Sequence, residues 1–104
     1  MGIQRLVRDY YTEWQLHGGR WGMPTLPDCL DFMMTEVAEA IDLRLRTMPV
    51  YIRNNPSNRP QPSDIATEIF DAIMMGCIAL DILGFDLMEV AEAKLEKMDR
   101  KRMG

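Results

Sequence analysis

Histidine occurs once in this chain, cysteine twice, and positive charge is outweighed by negative. Each shortage excludes something. With a formal net charge of −4, a whole-protein attraction to nucleic acid is not expected. The two cysteines, Cys29 and Cys77, fit no metal-ligand spacing and sit in apolar helical contexts, which reads as small core residues in a reducing cytoplasm. The lone histidine, His17, stands beside Gly18-Gly19, where partnering a helix C-terminus is a simpler role than holding a metal. No apolar run is long and unbroken enough to span a bilayer, so no membrane partner is expected. The N-terminal stretch IQRLVRDYY is charged and amphipathic rather than a leader, and a cytoplasmic location follows as the expectation. There is no internal repeat, low-complexity tract or boundary, so residues 1–104 read as a single domain.

What is present is helical periodicity. Ile3, Leu6, Val7, Tyr10, Tyr11 and Trp14 form one stripe, and His17-Gly18-Gly19 ends it. Residues 18–27 read as a loop whose Trp21 either packs on the core or forms one wall of a ligand pocket. Thr25-Leu26-Pro27-Asp28 has the chemistry of a helix start, and the helix it opens is expected to run to about Thr47. Met48–Pro62, rich in proline and asparagine, reads as a long loop. Ser63 is expected to cap a third helix over Ile65–Leu83, closed by Gly84, and Asp86 to open a fourth before a basic tail. Ten methionines suit an adaptable core or helix–helix interface.

The third helix is the centre of the reading. Between Ile69 and Leu83 it is apolar on nearly every side, the pattern of a helix buried at the middle of a bundle or an oligomer. Yet Glu68 and Asp71 share one face at its near end, and carboxylates there are costly unless paired, protonated or bound to metal. Glu36 and Glu39 repeat the spacing on the second helix. Residues three apart project together, so two antiparallel neighbours would converge four carboxylates. Oxygen donors without histidine or thiolate suit a hard cation, Mg²⁺ or Mn²⁺. A di-iron carboxylate bundle needs Glu-x-x-His pairs, which are missing. The plain alternative is a solvated acidic face. At the C-terminus Lys94, Lys97, Arg100, Lys101 and Arg102 either complement the helix dipole or bind an anion.

The order of these parts resembles a known family. E-x-x-E, 28 intervening residues, E-x-x-D, a Gly-Phe-Asp turn and a closing helix are similar to the MazG-like nucleoside triphosphate pyrophosphohydrolases, over about Trp21 to Arg102. The likeness is carried by TEVAEAID and by EIFDAIMMGCIALDILGFDLMEVAEAKLEKMDRKR. It implies an all-α, four-helix fold completed by a homodimer or homotetramer. It also implies hydrolysis of a nucleoside triphosphate between its α- and β-phosphates. In that frame Glu36, Glu39, Glu68 and Asp71 match the Mg²⁺-binding acids, and Glu36 or Glu39 would orient or deprotonate the attacking water. Lys97, Arg100 and Lys101 match the phosphate-binding stretch, and Trp21 lies near the base position. Three positions depart from the family. Thr35 replaces the outer acid of the first motif, Asp64 stands where a lysine is common, and Met98 follows Lys97 in place of asparagine. Two other readings follow from those departures: a non-catalytic helical module that docks a partner protein, and the same chemistry on a modified or signalling nucleotide.

Overall fold

A computed structural model of the chain describes residues 2–16, 24–50 and 59–103; His17 and Trp21 lie outside the described residues. Among them all regular structure is helical: α1 (Ile3–Leu16), α2 (Leu26–Leu45), α3 (Pro62–Leu83) and α4 (Leu87–Met103), with a further helical start at Pro49 and Val50. The all-α expectation holds. None of the described helices is long and apolar enough to cross a membrane.

The helix boundaries follow local chemistry. α2 opens directly after Thr25, with Pro27 and Asp28 in its first turn. It stops two residues short of Thr47, whose hydroxyl and amide both donate to the Arg44 carbonyl, at 2.6 and 3.0 Å, and turn the chain out of the helix. α3 begins three residues before Ile65. Pro62 takes the first helical position, where its missing N–H costs nothing. Asp64 Oδ2 then reaches back to accept the Gln61 amide at 2.8 Å. The cap is therefore built from Asp64 and not from Ser63, whose carbonyl instead accepts the Thr67 hydroxyl at 2.9 Å. Of the loop expected over Met48–Pro62, Pro49, Val50 and Pro62 are helical, and residues 51–58 lie outside the described residues.

α3 ends at Gly84, which has φ 81°. The Gly84 amide donates to the Asp81 carbonyl at 3.1 Å and the Phe85 amide to the Leu80 carbonyl at 2.9 Å, so orphaned carbonyls of the last turn are satisfied. Asp86 caps α4, its Oδ2 accepting the Glu89 amide at 3.1 Å. α4 continues through the basic stretch, which is helical and exposed rather than a tail.

The chain divides into two compact units, one formed by Met1–Leu26 and Cys77–Gly104 and the other by Pro27–Gly76. α3 contributes to both. In the first unit Val7, Cys77, Ile78 and Ala79 are buried; in the second, Cys29 and Ala72. Small residues let neighbours approach α3: a Cβ on Gly76 would stand 3.4 Å from Met33 Cε. Of the two settings expected for α3, the middle of a bundle within one chain is not found among the described residues. Ile69, Phe70, Ile73, Ile82 and Leu83 are exposed in the single chain, because so short a chain has too little surface to cover every side of a 22-residue helix.

Candidate metal centre

The second unit holds the acids. Glu36 and Glu39 lie one turn apart on α2, Glu68 and Asp71 one turn apart on α3. One carboxylate oxygen from each of Glu36, Glu39 and Glu68 falls within 4.8 Å of the others. Asp71 stands outside this trio, half-buried, although its charge acts on all three. The convergence expected from the two pairs thus forms from three of the four residues.

The trio is electrostatically strained. Glu36 and Glu68 are half-buried and Glu39 is exposed. One oxygen of Glu36 and one of Glu68, Oε2 in each, are shielded from solvent and have no hydrogen-bond partner among the described residues. Hydrogen bonding with Glu68 pulls the Glu36 carboxyl down, but burial and the nearby Glu39 and Asp71 together push it above the usual range. For Glu39 the crowding carboxyl of Glu68 is the first cause of an upward displacement, with burial adding to it. For Glu68 the crowding carboxyl of Glu36 comes first, opposed by Glu39 and reinforced by burial. Like charges at this spacing cannot all ionise freely.

A divalent cation fits this donor set. All three groups offer oxygen, and two of the oxygens are shielded and unpartnered among the described residues. The same unit holds a cleft of about 430 Å³, lined by Met33, Val37, Ile41, Ile65, Ile69 and Ile73 among others. It offers apolar surface without hydrogen-bonding groups, apart from Arg44 at its lining.

The expected phosphate ligands belong to the first unit. Lys97, Arg100 and Lys101 are exposed on α4, and Arg100 Nη1 lies 3.3 Å from Glu96 Oε1 in a surface pair of small energetic weight. Thr35 donates its hydroxyl to the Asp31 carbonyl at 3.1 Å, one turn back on α2.

Sequence reasoning missed a second polar cluster, also in the first unit. Arg8 grips Asp81 through two bonds, Nε to Oδ2 at 2.9 Å and Nη2 to Oδ1 at 2.7 Å. Gln4 Nε2 donates to Asp81 Oδ1 at 2.8 Å. The Arg8 guanidinium holds the Asp81 carboxyl below its ordinary value against the opposing effect of burial. The signal was available: Asp81 is the single charged residue between Asp71 and Asp86.

The two clusters respond oppositely to pH. Glu36, Glu39 and Glu68 hold protons more tightly in the folded chain, so stability falls as pH rises from the ordinary glutamate value of about 4.3 through their raised values. The Asp81 contribution is complete above the ordinary aspartate value of about 3.9 and disappears as pH falls through its lowered value. In EDTA the thermal midpoint is expected to climb as pH is lowered through the raised values toward about 4.3, and Mg²⁺ to raise it more above them. A midpoint flat across that interval and indifferent to Mg²⁺ would show the acids to be an ordinary solvated face.

Comparisons of the chain with protein-family models, with curated proteins and with solved structures return no match.

Proposed function

We propose that the protein is a Mg²⁺-dependent nucleoside triphosphate pyrophosphohydrolase, cleaving between the α- and β-phosphates to give a monophosphate and pyrophosphate. The observation that carries this reading is the meeting of Glu36, Glu39 and Glu68, with shielded, unpartnered oxygens on two of them. The order of the acidic and basic motifs along the chain supports it. Glu36, Glu39 and Glu68, with Asp71 beside them, would hold the cation, Mn²⁺ serving as an alternative. When bound, the ion supplies charge neutralisation on the phosphates and acidifies water. Glu39, exposed and displaced upward in proton affinity, is suited to accept the proton of the attacking water on a carboxylate oxygen; Glu36 is the alternative base. Lys97, Arg100 and Lys101 would bind the phosphates, countering the negative charge that accumulates on the leaving group. Trp21 is assigned to the base side on the resemblance alone.

The exposed apolar faces of α2 and α3, including Phe32, Ile41, Ile69 and Ile73, support a homodimer or homotetramer. The same faces favour the second reading, a helical module that docks a partner protein and performs no chemistry.

One experiment separates them. After its mass in solution is measured at micromolar concentration, the protein is offered a panel of canonical ribo- and deoxyribonucleoside triphosphates, with Mg²⁺ and then with EDTA. Pyrophosphate release by an oligomer in Mg²⁺ alone is the expected result. A folded oligomer that releases nothing yet binds Mg²⁺ redirects the search to a modified nucleotide. One that neither releases pyrophosphate nor binds Mg²⁺ or Mn²⁺ is the docking module. A 12.0 kDa monomer contradicts the assembly.

A further inference from the structure

We propose that Gln4 is a positioning residue whose amide sets the direction in which α4 leaves the end of α3. Gln4 is 5% exposed, a buried polar side chain on a helix otherwise striped with apolar residues. Among the described residues its side-chain bonds cross to the α3–α4 corner. Nε2 donates to Asp81 Oδ1 in the last turn of α3 at 2.8 Å and to the Phe85 carbonyl at 2.9 Å, and Oε1 accepts the Leu87 amide at 2.6 Å.

Local signals end one helix and begin the next without fixing the angle between them. Gly84, with its positive φ, satisfies the end of α3, and Asp86 takes the Glu89 amide at the start of α4. The Leu87 amide is one of those at a helix start that have no partner within the helix. It is satisfied from the other end of the sequence. One side chain thus ties the last turn of α3, the corner carbonyl and the first amide of α4 into a single rigid junction. An apolar residue of equal size could fill the space but would leave these groups unpaired, which disfavours this angle. Lys97, Arg100 and Lys101 are on α4, so the junction also aims those cations; that consequence rests on the nucleotide reading above.

The test is amide hydrogen exchange on the full chain. In wild type the Leu87 amide is expected to exchange at least tenfold more slowly than that of Met88; equal rates would overturn the proposal whatever the variants do. Gln4→Met is expected to accelerate Leu87 tenfold or more while Ile78, inside α3, stays within twofold. Arg8→Met removes the ion pair but spares the three Gln4 bonds, so Leu87 keeps its protection. Uniform acceleration of both helices in both variants would reduce Gln4 to general packing and sink the idea. With nucleotide, Gln4→Met is expected to raise KM several-fold at nearly constant kcat. If wild type releases no pyrophosphate, the nucleotide reading fails and the exchange data alone decide the junction.

Discussion

Glu39→Gln is expected to lower metal-dependent pyrophosphate release by a factor of about 10²–10⁴, the range associated with loss of a positioned acid or base. The change keeps the shape of the side chain and removes one charge. Because Glu39, Glu36 and Glu68 crowd one another, removing that charge also relieves repulsion. The metal-free variant is therefore expected to unfold at the same temperature as wild type or higher, with its helix content intact. Lower activity joined to equal or greater stability is the signature of a site held under strain for function. Mg²⁺ should also raise the variant's thermal midpoint less than that of wild type. Full turnover by Glu39→Gln would remove the metal assignment.

Ile78→Ala is the stability counterpart. Ile78 is 2% exposed and is the largest of the fully buried side chains, in a core otherwise made mainly of small residues. Truncating a buried isoleucine to alanine costs about 2–5 kcal/mol through lost transfer energy and the cavity left behind. A small domain has roughly 5–15 kcal/mol in total. The midpoint of urea unfolding should fall sharply, and a loss under about 1 kcal/mol would show that the site collapses around the change. Ile69→Ala provides the contrast. At 51% exposure it should cost the isolated chain little, whereas in an assembly that covers α3 it should weaken association.

How much of this was legible can be traced residue by residue. Helix starts were readable within a few residues because proline and short acids act locally: Pro27, Pro62 and Asp86 lie in first turns or at a cap. The exact cap of α3 was not, since Ser63 and Asp64 both have capping chemistry and only the position of Pro62 decides between them. The meeting of Glu36, Glu39 and Glu68 was legible from their spacing, because residues three apart on a helix share a face. The separation of Asp71 from that trio was not, since it depends on how the two helices are rotated and no pattern in one helix records that. Asp81 was marked by its isolation, but its partners were not. A single charge in an apolar run gives no clue that its partners are Gln4 and Arg8, more than 70 residues earlier. For α3 the sequence left bundle and oligomer both open for a related reason: an all-apolar helix states that it needs covering, not that its own chain does so.

The two cysteines give the molecule a pair of built-in reporters. Each compact unit contains one of them, Cys29 in one and Cys77 in the other, and both are almost wholly sequestered. Burial pushes both thiols upward in proton affinity, which disfavours the thiolate that alkylating reagents require. Modification then waits on an opening event, and its rate under excess reagent measures how often that event occurs. Pulse alkylation read by peptide mass would time the two halves separately in one tube, and would reveal whether nucleotide or divalent ion closes one of them before the other.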